Sequence, residues 1–578
     1  MSAPTDFDRI EIRATRHAGD DDLLTAGLGA AGLRLPQPPA PADPASPTPA
    51  EQRRRAIWSN WHGIADLAGA ARVPAAVPGR EFHALLTLPG ARHPQRVMLQ
   101  LPDDFDHEAR CLVVTASSGS RGIYGAIAVA GAWALPRGFA VVYADKGCGC
   151  DWFDAAAGVG VALDGTPTDD PARMAFAPTL ARGGSPRVAI RHAHSGDHPE
   201  ADWGRHLRQA ADWARGLLDR LLPPAPARRT RVIAAGLSNG GAAVLRAAAD
   251  AEPWLDGAVV GAPNVHAEGG RPLYDYASEA ALWLAAAGAH PMLHEAPLPT
   301  PLLDAAAWQA QRAAAVAAIA RHGLLETTSP RAIASACYAR LRSSGWTEAA
   351  MNAASLSTGF DMWRAACVTY SWSYARQPAD RHPLGYGMAM LDGDGAPRAP
   401  TAAERADWWS LGAGIVPGAG VGLIDPAGPG GDPWPGLLKL RQLWHGDDSA
   451  ALALREAVAA TTAAAPRRGL PLILMHGVDD GLIPEAFSSA PYVAAARRAG
   501  RSPSYWRLHG VQHFDGFLAL PQYRARYRPL LPTLHEALDA LWAHLQHGAP
   551  LPGDREIGRP TAGAECLPDA EGECVARG

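Results

Sequence analysis

The sequence predicts an α/β fold, with a mostly parallel central sheet, helices on both faces, and a large, mainly helical insertion. Three observations predict it. Continuous apolar runs alternate with longer helical patterns in the first half of the chain; the alternation stops between about residues 265 and 465, where an Ala- and Trp-rich helical stretch takes over; and strand-like runs resume beyond it. Runs that are apolar at every position suit strands covered on both faces, as parallel strands between helix layers are.

In chain order, residues 35 to 50 are rich in Pro, Ala and Ser. Proline lacks the N–H that a helix or central strand needs, so this stretch is expected to run extended over the surface. An amphipathic helix is expected around Ile57 to Leu67. The alternating runs EFHALLTL (81–88) and RVMLQLP (96–102), joined by Pro and Gly, predict an antiparallel hairpin leading into the sheet. The runs CLVVTA (111–116), GFAVVYAD (138–145), RVIAAG (231–236) and LDGAVVGAP (255–263) predict buried strands, with helices over Asp202 to Leu222 and Gly240 to Ala251. A last pair, LPLILMHG (470–477) and SYWRLHG (504–510), flanks a helix over Glu485 to Gly500. The expected organisation is an N-terminal extension (1–50), the first part of an α/β core (51–265), a helical cap (266–465), the second part of the core (466–550) and a C-terminal tail (551–578).

Composition excludes several classes. A formal net charge of −5 with 19% charged residues leaves no basic footprint for nucleic acid. No run of about 18 apolar residues exists to span a bilayer. The opening residues lack the basic flank and apolar core of a signal peptide, so the expectation is a cytoplasmic chain. Seven cysteines without C-x-x-C spacing (Cys111, Cys148, Cys150, Cys337, Cys367, Cys566, Cys574) imply reduced thiols rather than a disulfide framework.

The chemistry centres on Gly236-Leu237-Ser238-Asn239-Gly240, a G-x-S-x-G between a strand and a helix. A turn that sharp exposes the serine hydroxyl and leaves no room for side chains on either flank. A serine nucleophile needs a base and an acid, which in this architecture follow on loops after later strands. His476-Gly477-Val478-Asp479-Asp480-Gly481-Leu482-Ile483-Pro484 resembles the acid loop of α/β-hydrolases, in a register that favours Asp480 over Asp479. After the last strand, His513 is favoured over His509, because the histidine must swing back over the serine. Donors for a developing oxyanion are expected from the Asn239 N–H and from Ser118 or Gly119, in the loop after CLVVTA.

The segments DDLLTAGLGAAGL (21–33), SSGSRGIYGAI (117–127), DKG (145–147), AIRHAHSGDHPEADWG (189–204), GLSNGG and VQHFDGF together resemble the D-(-)-3-hydroxybutyrate oligomer hydrolase family. The resemblance implies an α/β-hydrolase esterase, with Ser238 as nucleophile, that cleaves short linear 3-hydroxybutyrate oligomers to monomer during polyhydroxybutyrate degradation. It implies a small oligoester partner and no cofactor; several relatives carry an export signal. Cys148 and Cys150 stand where small polar residues are expected. Two rival readings remain: an acyl hydrolase for bulky esters or peptides, and an inactive protein of this fold that holds a ligand or a polyester granule.

Three further residues are candidates for substrate binding. Arg121, beside the oxyanion loop, could pair with an oligomer's terminal carboxylate or brace its own loop through backbone carbonyls. Trp372 and Tyr374, in an aromatic patch of the insertion, could line the site. His192, His194 and His198 with Asp197 have the look of a metal set, but hydrogen-bonded histidines leading into a helix are favoured, and no metal is expected.

Overall fold

Each apolar run sends alternate residues to opposite faces of one sheet, which is why every position in it is buried. In the strand Cys111–Ala116, Val113 packs into one layer of core while Leu112 and Val114 pack into the other. The same division separates Ile233 from Val232 and Ala234, and Val259 from Ala258 and Val260. A computed structural model describes residues 10–69, 71–180, 187–223, 229–293, 305–412 and 420–558.

The central sheet has ten strands, numbered here in chain order: β1 (Arg13–His17), β2 (Gly79–Leu86), β3 (Gln95–Pro102), β4 (Cys111–Ala116), β5 (Ala140–Ala144), β6 (Arg231–Leu237), β7 (Gly257–Gly261), β8 (Leu472–Gly477), β9 (Ser504–Leu508) and β10 (Arg555–Ile557). Their order across the sheet is β1-β2-β3-β5-β4-β6-β7-β8-β9-β10. The pairs β1/β2, β2/β3 and β3/β5 are antiparallel, and every pair from β5/β4 to β9/β10 is parallel. This is the α/β-hydrolase architecture, with the β5/β4 crossover placing the ends of β4 and β6 side by side.

Helices cover both faces. Those used below are α1 (Pro49–Ile64), α2 (Pro199–Leu221), α3 (Asn239–Ala248), α4 (Leu273–Ala287), α5 (Met362–Ala375) and α6 (Leu531–His547). Apolar residues of α2 and α3 fill one layer with Leu112 and Val114; those of α1 and α6 fill the other with Val113. The segment between β7 and β8 is mainly helical and also holds a small sheet of Gly387–Leu391, Pro397–Arg398 and Val421–Ile424, which the sequence did not lead us to expect.

Three expectations are corrected. The helix expected at Ile57 begins two turns earlier, because Thr48 and Glu51 form a capping box and Pro49 occupies the first turn, where its missing N–H costs nothing. The residues expected as an extension contribute the edge strand β1, and Leu23 and Leu24 beyond it are fully buried. The stretch expected as a tail contributes β10 at the opposite edge; residues 559–578, including Cys566 and Cys574, lie outside the described residues. Both are short strands carrying charged residues, so neither shows as an apolar run. Among the described residues no helix is long and apolar enough to cross a membrane.

Leu534 on α6 is fully buried and packs toward Gly261 at the end of β7. Leu534→Ala is expected to cost about 2–5 kcal/mol, read as a lower urea midpoint; an unchanged midpoint would show that α6 does not form part of the core.

Candidate active site

Ser238 stands between the last residue of β6 and the first of α3, at φ 59° and ψ −126°. A non-glycine residue is rarely found there, and the crowding around it explains both neighbouring glycines. A Cβ on Gly236 would lie 2.5 Å from the Gly240 carbonyl oxygen, and one on Gly240 would lie 2.3 Å from the Ala116 carbonyl oxygen. The serine's backbone is gripped on both sides. Its N–H donates to the Gly261 carbonyl at 3.1 Å, and its carbonyl accepts from Ala242 and Asn264, each at 3.0 Å.

His513, in the loop after β9, approaches the hydroxyl: its Nε2 is 2.9 Å from Ser238 Oγ and its Nδ1 is 2.6 Å from Asp480 Oδ2. Asp480, in the loop after β8, is fully buried. Its other oxygen accepts the N–H groups of Leu482 and Ile483 at 2.9 and 2.8 Å. Burial pushes its carboxyl upward, but its pairing with His513 and hydrogen bonds from His476 and His513 outweigh that and hold it well below the usual range. The two alternatives lie elsewhere. His509 pairs with Glu556 on β10, and Asp479 holds Val511 through its backbone while burial raises its carboxyl.

The loop after β4 faces the serine. Ser118 is committed to structure: its hydroxyl donates to the Leu237 carbonyl at 3.1 Å and its N–H to the Gly125 carbonyl at 3.4 Å. Of the two expected donors, Gly119, at φ 56°, keeps an N–H with no acceptor among the described residues, and it shares a cavity wall with Ser238 and Asn239. Lys146 and His192, neither of which stood out in the sequence as holding this loop, fix it from behind. Lys146 Nζ donates to Ser117 Oγ at 2.8 Å and to the Gly119 carbonyl at 2.6 Å. His192 Nδ1 meets Ser120 Oγ at 2.5 Å, and its Nε2 pairs with buried Glu200.

The cavity at Ser238 holds about 300 Å³ and its walls are mostly apolar, with Leu273, Met362, Trp363, Phe514 and Phe517 among them. Arg121 also lies on its wall. A wider groove of about 800 Å³ between α1 and α6 does not include Ser238. Trp372 and Tyr374 do not line the Ser238 cavity. Trp372 donates to the Pro378 carbonyl and packs on His194, while Tyr374 packs on His198. The reason is helical rise: the wall takes Met362, Trp363 and Ala366 from the start of α5, and Trp372 is about 15 Å further along it than Met362. Tyr370, between them, reaches back so that Asn239 Nδ2 donates to its hydroxyl at 3.2 Å.

The histidines that had the look of a metal set are individually engaged. His194 Nδ1 accepts from the Ile190 N–H, His198 Nε2 lies 2.8 Å from the Ala457 carbonyl, and Asp197 accepts from Arg92 and His93. Among the described residues no group of three or more His, Cys, Asp or Glu could hold a metal ion. Cys148 accepts from Trp203 and Cys150 donates to the Trp409 carbonyl.

Burial lowers the affinity of His192 for a proton, but the neighbouring Cys148 and the carboxylate of Glu200 outweigh it and raise the pKa to about 10. A pKa raised on folding contributes stability that is complete below the unfolded value of 6.5 and is lost as pH climbs through about 10. Against His192→Gln, the wild-type protein is therefore expected to hold its largest stability advantage at or below pH 6.5, and to lose it progressively between 6.5 and 10. Thermal unfolding across that range checks it; an advantage that grows with pH would refute the ion pair.

Comparison with known proteins places this sequence in a family. The sequence matches the family described as 3HB-oligomer hydrolase over residues 2–568. It is 35% identical to the D-(-)-3-hydroxybutyrate oligomer hydrolase of Paracidovorax citrulli, over 94% of this chain and 88% of that one. With the protein of the same name from Ralstonia nicotianae it shares 34% identity, over 94% and 86%. Among solved structures, a feruloyl esterase B from Aspergillus oryzae aligns over 84% of each chain at 14% identity and a TM-score of 0.37, too distant to carry weight. The chain belongs to the 3HB-oligomer hydrolase family.

Proposed function

We propose that this protein hydrolyses short 3-hydroxybutyrate oligomers to monomer through an acyl-enzyme on Ser238. The observation that carries the reading is the hydrogen-bonded row Ser238, His513, Asp480 at the wall of an apolar cavity, in a chain of this family.

In this mechanism His513 accepts the Ser238 proton through Nε2 as Oγ bonds to the ester carbonyl carbon. Asp480 holds the histidine with Nδ1 protonated and balances the imidazolium charge. The carbonyl oxygen becomes an oxyanion facing the N–H groups of Asn239 and Gly119, which engage no acceptor among the described residues. His513 then passes its proton to the departing alkoxide, and later takes one from the water that releases the acyl group. Two features support an oligoester as substrate. The walls are apolar, as a chain bearing one methyl per repeat requires, and the volume sits at the small end of ligand cavities, roughly 300–1,000 Å³. The helical segment between β7 and β8 acts as the cap, since α4 and α5 supply Leu273, Met362 and Trp363.

Release of monomer from purified trimer tests the reading. Ser238→Ala or His513→Ala is expected to reduce turnover by on the order of 10⁶, and Asp480→Asn by on the order of 10⁴. A fluorophosphonate is expected to label wild type and not Ser238→Ala. Undiminished release by Ser238→Ala would remove the serine from the mechanism, and labelling without release would keep a hydrolase of another substrate.

A further inference from the structure

Arg121, which is partly exposed, stands out among the cations near the site because no carboxylate among the described residues answers its charge. Arg96 and Arg191, behind the same loop, are paired with Asp151 and Asp145. Arg121 has neither a carboxylate nor a backbone carbonyl as partner among the described residues, so it does not brace its loop. Loss of water around the guanidinium pulls its pKa down to about 10, which still leaves it charged at neutral pH. The planar group lies flat against Gly63: a Cβ there would come within 2.2 to 2.3 Å of Nη1, Nη2 and Cζ, so any side chain at 63 would displace it. From that seat it lines the same cavity as Ser238. His62, also on the wall, has its affinity for a proton lowered by burial, and among the described residues no Asp or Glu lines the cavity.

A charge withdrawn even partly from water with no counter-charge beside it is stabilised by a ligand that supplies one. An oligomer of a 3-hydroxy acid carries one anionic group, the carboxylate at its end, and a guanidinium fork is shaped to take it with two hydrogen bonds. We propose that Arg121 anchors this terminal carboxylate, so that Ser238 cuts at the acid end of the chain. The proposal rests on the hydrolase reading above and adds the direction of attack. In each round Ser238 Oγ bonds to the carbonyl carbon of the ester nearest the anchor, and the bond from that carbon to the ester oxygen breaks. The oxygen takes the proton from His513 and leaves as the hydroxyl of a 3-hydroxy acid whose carboxylate is still on Arg121. Water then adds to the acyl group, gives a proton to His513, and displaces Ser238, which regains a proton. The shortened oligomer leaves with a new carboxylate, the ligand Arg121 requires for the next round. Polymer offers one such end per long chain, so the anchor selects oligomers.

The test compares the 3-hydroxybutyrate trimer with its methyl ester, in turnover by wild type and in calorimetric binding to Ser238→Ala. The free acid is expected to be favoured roughly 10- to 100-fold in both, the range for a charge-assisted contact. That ratio is expected to fall to about one in Arg121→Met and in Gly63→Ala, which leaves the arginine but occupies its seat; Arg121→Lys should keep part of it. A ratio unchanged in Arg121→Met overturns the anchor. With the acid-terminal unit isotopically labelled, the first monomer released by wild type should carry the label; unlabelled monomer overturns the direction of attack. If wild type cleaves neither compound while binding still discriminates acid from ester through Arg121, the hydrolase reading fails and the carboxylate site stands. Binding without discrimination overturns the site.

Discussion

The constraint on which the rest depends is the close approach of three pieces of backbone at Ser238. The ends of β4 and β6 and the first turn of α3 are packed so tightly that the carbonyls of Ala116 and Gly240 occupy the space where side chains at 240 and 236 would be. Holding a serine at positive φ costs on the order of 1–3 kcal/mol, and the turn pays for it by leaving no alternative: the N–H and carbonyl of Ser238 are both bonded to neighbouring segments. The hydroxyl is thereby carried on a rigid mount. The loop after β4 is tied to the same mount through Ser118 and the Leu237 carbonyl, so serine and loop are fixed relative to one another.

A buried charge network supports that loop from below. Arg96, Asp145, Asp151 and Arg191 are at most 3% exposed and form a closed set of ion pairs. Such sets contribute little net stability, because each ion loses several kcal/mol of hydration. Their value here is positional. Asp145 is followed by Lys146, and Arg191 by His192; in each pair the first residue is locked in the network and the second reaches the loop, Lys146 at Ser117 and Gly119, His192 at Ser120.

Much of this was legible in sequence, for reasons that also mark where legibility stops. Strands buried on both faces read as continuous apolar runs, so β4 through β9 were found within a few residues of their ends. Ser238, Asp480 and His513 could be named because each follows one of those strands, and strand ends converge at one edge of a parallel sheet; the structure brings the three into a hydrogen-bonded row. The edge strands β1 and β10 carry arginines and a glutamate in place of an apolar run. The cavity wall was the other gap. In an Ala-rich insertion the pattern does not say which turn of α5 meets the cavity, and the aromatic patch at Trp372 and Tyr374 is no more apolar in sequence than Trp363, Phe514 and Phe517, which form the wall. Nor does spacing reveal that Lys146 and His192 converge on a loop that lies 27 and 72 residues away from them.

The two ends of α5 serve different purposes. Its first turns face the cavity with Met362, Trp363 and Ala366, whereas its later turns hold Asn239 through Tyr370 and Glu200 through Ser373. The helix is thus modular along its length: its first turns can be reshaped to admit a longer or bulkier acyl chain without loosening the serine turn, whereas a change in the later turns would unseat that turn and its supporting ion pair together.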